Sequence, residues 1–358
     1  MGRALTAGLV GLFMLAGPAA GGISESLSFS ETGSPGFSDG TVLFYKLIVG
    51  GDLSGAPPDS PQDRIDPNVP TSPYAGVGSV RANVTGGYYF GTGTLVSPRH
   101  VLTAAHVLDI NDNGTSDVLP GAVSFYLNDG PVPTIMAVDA VEICPTYSGF
   151  NNPAVNDDLA IITLAESVRT GVAWYPIYSG ALAPGQQVIQ VGYGRSGTGT
   201  SGYTVSASLT VKRVGYNVMD IMLADDDASG GGGLLETWRG DFDGPTTATS
   251  LSGGATLGNN VESTLGPGDS GGPSFIEVDG RLQLVAINTF GFTVSGGPVF
   301  PLYGSGMGGI LIDPYADWIG TAVPAPPTIL LLALGLPGVM LRRKARDLRG
   351  RPGVSAER

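Results

Sequence analysis

A chain of 358 residues with 57 glycines, 27 prolines and only 14 % charged side chains is poor material for long helical bundles or coiled coils. Its 42 % hydrophobic residues suffice for a core, which excludes wholesale disorder. The net charge of −13 excludes a nucleic-acid-binding body, and the single cysteine, Cys144, excludes an intramolecular disulfide and cysteine-rich zinc sites.

In chain order, Met1-Gly2-Arg3, an apolar run from Ala4 to Ala16 and small residues from Gly17 to Gly22 carry the three parts of a secretory signal peptide. About 13 apolar residues at 1.5 Å each span about 20 Å, short of a hydrocarbon core of about 30 Å, so export rather than anchoring is expected here. Signal peptidase would cut between Ala19 and Gly22, leaving an N-terminal segment over 21–64. From about Ile65 to Gly320 short β-type runs follow one another: Gly76 to Ala82, Tyr88 to Val96, Val123 to Leu127, Leu159 to Leu164, Val188 to Gly192, Leu209 to Val214 and Leu282 to Thr289. Turn residues separate them. Ser196 to Gly202 and Ser229 to Gly233 read as flexible loops, and Asp225-Asp226-Asp227 as a solvated turn. Only Pro314 to Gly320 reads as a short helix.

Beyond residue 321, Val323-Pro324-Ala325-Pro326-Pro327 precedes an apolar run from Ile329 to Leu341 and then Arg342-Arg343-Lys344. The order of spacer, apolar run and positive stop predicts a transmembrane anchor with the body outside. The tail resembles the PEP-CTERM sorting signal that exosortases of Gram-negative bacteria process, with Ala325 where that family has Glu. The resemblance implies residues 321–358 as a sorting signal, an exosortase-like processing enzyme, and a cell-surface or extracellular destination. A plain anchor is the alternative.

Three local strings carry chemistry. His106 stands in Thr103-Ala104-Ala105-His106, where small residues let the backbone hold a general base rigidly at a cleft. Asp157-Asp158 directly precedes the apolar Leu159-Ala160-Ile161-Ile162, as a carboxylate that orients an imidazole would. Gly268-Asp269-Ser270-Gly271-Gly272-Pro273 allows a sharp turn that presents Ser270 Oγ and aims the N–H groups of Gly268 and Ser270 at one point, an oxyanion hole. No Gly-Lys-Ser/Thr phosphate loop is present.

These strings, in the order His, Asp, Ser, resemble the trypsin/chymotrypsin family of serine endopeptidases. The resemblance covers roughly residues 65 to 320. It implies an all-β fold of two Greek-key β-barrels with the active site in the cleft between them, and a short C-terminal helix. It implies His106, Asp158 and Ser270 as a catalytic triad acting on protein or peptide substrates with no metal or organic cofactor. Adjacent Asp157 leaves a choice, which the following Leu-Ala decides for Asp158. Thr264, six residues before Ser270, would floor the primary pocket and, being uncharged, would favour neutral residues before the scissile bond. Gly291 would line its wall, and Thr289 to Gly291 would pair with the extended substrate backbone.

The resemblance further implies that a new N-terminal ammonium pairs with Asp269. Two start sites compete, beside a reading with no such activation step: Ile48-Val49-Gly50-Gly51 matches the family's string, whereas Arg64-Ile65 offers a basic scissile residue and an interval to His106 close to the family's, and is favoured. Asp109, Asn111, Asn113 and Asp117 have the spacing of a calcium loop, but Pro120 stands where a closing Glu belongs, and an Asn/Asp-rich turn gives the same pattern. The reading of a different class is a catalytically silent β-barrel module that binds peptides or matrix components at the cell surface.

Overall fold

The computed structural model describes residues 27–29, 40–42, 49–150, 157–224, 234–244, 256–293 and 297–323. The signal-peptide stretch 1–20, Asp225 to Asp227, Ser229 to Gly233 and the tail from Pro324 onward lie outside these residues. β1 (Leu27–Phe29) and β2 (Gly40–Val42) form an antiparallel pair. β3 (Val77–Val84), β4 (Gly87–Leu95), β5 (His100–Thr103), β6 (Val123–Leu127), β7 (Thr134–Ile143) and β8 (Ala160–Leu164) close an antiparallel barrel in the order β3-β4-β5-β8-β7-β6. The period-2 pattern explains which face goes inward: Val123, Phe125 and Leu127 are buried, while Ser124 and Tyr126 between them are partly exposed. Phe125 packs in one core with Val80, Leu95 and Val101, and full burial of each such side chain contributes roughly 1.5–3 kcal/mol.

β9 (Gln186–Gly192) begins the second half. β10 (Ser196–Thr198) and β11 (Gly202–Val205) then form a bulged hairpin, so the glycine-rich stretch read as a flexible loop is largely a paired ribbon. β12 (Arg213–Met219), β13 (Ile221–Ala224), β14 (Leu235–Asp241), β15 (Pro273–Val278), β16 (Arg281–Phe292) and β17 (Gly306–Leu311) join β9 in a seven-stranded antiparallel sheet, ordered β12-β9-β15-β16-β17-β14-β13. The expectation of two Greek-key barrels is thereby corrected to one closed six-stranded barrel and one open sheet. The edges β12 and β13 are consecutive in the chain, separated by Asp220, yet share no ladder. Tyr216 of β12 pairs instead with Glu262, and the Asn217 side-chain amide donates to the carbonyls of Asp241 and Ser263, each at 2.8 Å. A side chain and a crossing segment thus fill the gap that strand-to-strand hydrogen bonds would have to span.

The two halves pack face to face. The Tyr193 hydroxyl donates to the Val77 carbonyl at 2.9 Å, and the rings of Tyr175 and Phe275 lie 4.5 Å apart. Lys212 is fully buried, donates to the Tyr74 carbonyl at 2.8 Å and lies 3.4 Å from Asp66, so its charge is matched inside the fold. After a 3₁₀ turn at Asp313–Tyr315 the chain ends in α1 (Ala316–Ala322), the short helix expected near 314–320, which buries Ile319 against the barrel core. Among the described residues no helix is long and apolar enough to cross a membrane, and the run from Ile329 to Leu341, expected as a transmembrane anchor, lies outside them.

Candidate active site

His106 sits in a 3₁₀ turn, Ala105–Val107, immediately after β5, and Asp158 lies just before β8. β5 and β8 are hydrogen-bonded neighbours, with Thr103 opposite Ala160, so the barrel ladder itself brings two residues 52 apart in sequence to one rim. Asp158 Oδ1 accepts from the His106 backbone N–H at 2.9 Å and Oδ2 faces His106 Nδ1 at 2.5 Å. With Asp158 as a carboxylate, Nδ1 carries the proton and Nε2 is left as an acceptor. His106 Nε2 lies 2.5 Å from Ser270 Oγ, across the cleft in the second half. Asp158 is fully buried, and the Phe150 ring packs over the imidazole at 4.5 Å between centroids, limiting its solvent contact to 8 % exposure. Asp157 points elsewhere, accepting from the Tyr315 hydroxyl at 2.7 Å.

The turn before β15 depends on two glycines. Gly268 (φ +105°) and Gly271 (φ +80°) occupy left-handed backbone, and a Cβ at either would collide with Phe90 or with Thr103 and Thr92. Barrel strand β4 fixes the turn: the Thr92 N–H donates to the Ser270 carbonyl at 2.7 Å, and Thr92 Oγ1 donates to the Gly268 carbonyl at 2.7 Å. From the other side the Gly271 N–H donates to the Asn288 carbonyl at 2.9 Å. Among the described residues the N–H groups of Gly268 and Ser270 donate to no acceptor. Thr92, Asn288 and Phe150 are therefore supports of the site that sequence reading missed. Gly91 to Val96 was visible as a strand, but nothing local marks Thr92 as the contact to the turn.

Thr264 is fully buried, and its Oγ1 has no partner among the described residues. Thr289 likewise has an unpartnered buried Oγ1 and stands at a register shift between Asn288 and Phe290, a bulge of the kind that re-aims side chains beside functional sites. Gly291 faces the ring of Phe300, which occupies the space a Cβ would take. Asp269 is fully buried, and its Oδ1 accepts from the Gly194 N–H at 2.8 Å. The two start sites fare differently. Val49 exchanges backbone hydrogen bonds with Thr264 at 2.8 and 3.0 Å, next to the candidate pocket floor. Ile65 bridges Arg213 instead, and the buried Arg64 side chain is ion-paired with Asp59 and bonded to the carbonyls of Val261 and Glu262.

The Asn/Asp-rich turn is held by its own hydrogen bonds. Asp109 accepts from the N–H groups of Asn113 and Gly114 at 3.1 and 2.7 Å, and Asp117 from those of Ile110 and Asn111 at 2.7 and 2.8 Å. The carboxylates thus serve as turn acceptors. His100, the other histidine, bonds Ser97 Oγ through Nδ1 at 2.7 Å and is bonded in a turn of the barrel.

Burial pushes the Asp269 carboxyl up to about 7 from 3.8, although the Gly194 N–H and the charge of Arg213 act in the opposite direction. The folded chain therefore keeps a proton that the unfolded chain releases above pH 4. Stability contributed by the neutral form is full below about pH 4 and falls as pH rises to about 7, by on the order of 4 kcal/mol in all. In the uncleaved chain, Asp269→Asn is expected to gain roughly 2 kcal/mol over the parent between pH 5 and pH 8 in urea unfolding. A difference that does not change with pH would show that Asp269 is ionised throughout.

A family model described as Trypsin matches residues 68–319. Spermosin of Halocynthia roretzi is 30 % identical over 213 residues, which make up 58 % of this chain and 49 % of that protein. The chain thus spans about half the length of this curated relative.

Proposed function

The chain belongs to the trypsin family of serine proteases, and from that premise we propose that it is a working serine endopeptidase with His106, Asp158 and Ser270 as its triad. The observation that carries this reading is the continuous hydrogen-bonded line Asp158 Oδ2, His106 Nδ1, His106 Nε2, Ser270 Oγ, with both links at 2.5 Å. His106 Nε2 takes the Ser270 proton as Oγ attacks the scissile carbonyl, and Asp158 holds the tautomer and stabilises the imidazolium that forms. The Gly268 and Ser270 N–H groups receive the oxyanion. His106 then protonates the leaving amine, and water releases the acyl group from Ser270. A fluorophosphonate probe is expected to label Ser270 alone; absence of labelling on folded protein would favour the silent peptide-binding module instead.

Activation follows from the start-site geometry. Val49 beside Thr264, and Arg64 locked in a buried ion pair, favour cleavage before Ile48 over cleavage at Arg64-Ile65. The new ammonium would pair with Asp269 and supply the positive charge that its buried carboxyl lacks. The terminal segments support an exported enzyme with a signal peptide over 1–20, cut by signal peptidase, and a sorting segment beyond residue 321 removed by an exosortase-like enzyme.

In the primary pocket, Thr264 and Thr289 offer hydroxyls but no charge, and Phe300 fills the space over Gly291. The enzyme should therefore prefer small neutral residues before the scissile bond. Phe300→Ala is expected to raise the ratio of kcat/KM for Leu over Ala at that position by about 10- to 100-fold, the range that filling or emptying an apolar pocket commands. Because it is a ratio, it cancels any loss of folded protein. Library cleavage chiefly after Arg or Lys would overturn the assignment.

A further inference from the structure

The second half of the molecule holds a group of carboxylates that the proposed chemistry does not use. β14 ends at Asp241, and Asp243 follows two residues later, the spacing that keeps two side chains of an extended segment on one face. Glu262 enters from the segment that crosses the open sheet edge opposite Tyr216. Asp241, Asp243 and Glu262 are 6 %, 3 % and 4 % exposed, and each brings a carboxylate oxygen within 4.8 Å of the other two.

Hydrogen bonds account for only part of this group. Glu262 accepts from the N–H groups of Asp243 (2.5 Å) and Leu257 (2.7 Å), which fixes its orientation. Asp243 Oδ1, by contrast, is buried with no hydrogen-bond partner among the described residues. No Lys or Arg pairs with Asp243 or Glu262 among the described residues, and Arg64, which bonds the Glu262 backbone carbonyl, spends its charge on Asp59. An unpaired buried carboxylate oxygen among like charges is costly unless a proton or a cation neutralises it.

We propose that Asp241, Asp243 and Glu262 bind a calcium ion. The donors are all hard oxygens, which excludes a preference for soft or imidazole-seeking metals. Two oxygens held at about 2.4 Å from one calcium ion lie at most about 4.8 Å apart, and the oxygens of this group fall within that bound. The location gives the ion a task. Glu262 stands two residues before Thr264 and eight before Ser270, so calcium would tie the end of β14 to the pocket floor and to the segment leading into the nucleophile turn.

The test uses the full chain carrying Ser270→Ala, which prevents self-cleavage and makes the result independent of the protease reading. After treatment with EGTA, calorimetric titration with calcium chloride is expected to show one site. Calcium at a hundredfold excess over Kd should raise Tm by about 5–10 °C. Adding Asp243→Asn should weaken calcium binding at least 10-fold and, by relieving repulsion among buried carboxylates, raise Tm in EGTA. Glu262→Gln serves as the second variant if the first does not fold. Asp109→Asn should leave binding intact. The proposal fails if the parent neither binds millimolar calcium nor melts higher with it, if binding survives both Asp243→Asn and Glu262→Gln, or if Asp109→Asn alone abolishes it.

Discussion

Ser270→Ala is expected to lower kcat/KM on peptide substrates by on the order of 10⁶-fold, His106→Ala by a similar factor, and the double variant by no more than either alone. The non-additivity follows from the geometry. Ser270 Oγ and His106 Nε2 share one hydrogen bond of 2.5 Å and one proton, so removing either member disables the same step. Neither substitution removes the Gly268 and Ser270 N–H groups, and a residual acceleration of about 10³-fold over water should persist from them and from substrate binding. The turn should survive Ser270→Ala because its anchors are backbone groups: the Ser270 carbonyl on the Thr92 N–H, and the Gly271 N–H on the Asn288 carbonyl. Steady-state hydrolysis alongside urea unfolding checks both halves of the statement. Activity of Ser270→Ala within 100-fold of the parent, at unchanged stability, would remove Ser270 from the mechanism.

How far the site could be read from sequence depends on how local its determinants are. The strings around His106, Asp158 and Ser270 are short because each residue's backbone conformation is set by its immediate neighbours, above all the left-handed glycines 268 and 271. The open sheet was not legible, because its closure is decided by what β12 and β13 do on either side of Asp220 and by the Asn217 amide, none of which leaves a periodic trace. β17 was missed because glycine lowers strand propensity, yet Gly308 and Gly309 are required where Phe290 and the Ile287 carbonyl approach their backbone. Spacing and a basic residue favour Ile65, whereas the proposed start before Ile48 rests on tertiary contacts, Arg64 with Asp59 and Val49 with Thr264, that no local string announces. The carboxylate group was equally hidden, since Asp243 and Glu262 are 19 residues apart and meet through a backbone N–H rather than a motif.

The adjacent carboxylates give the second large expected effect. Asp158→Asn should lower kcat by about 10⁴-fold near neutral pH, whereas Asp157→Asn should stay within about 10-fold of the parent. Asp158 performs two tasks at once, accepting from the His106 backbone N–H through Oδ1 and from Nδ1–H through Oδ2. An amide in its place can turn only one oxygen toward these donors. With that oxygen kept on the backbone, its NH₂ group faces Nδ1 and drives the ring proton to Nε2, where it blocks acceptance from Ser270 Oγ. Asp157 holds the Tyr315 hydroxyl, so its loss should register as lowered stability rather than lowered turnover. The pH profile separates the two further, since Asp157→Asn should keep the parental profile. Equal losses for the two variants, or a larger loss at Asp157, would mean that Asp158 does not set the imidazole's tautomer.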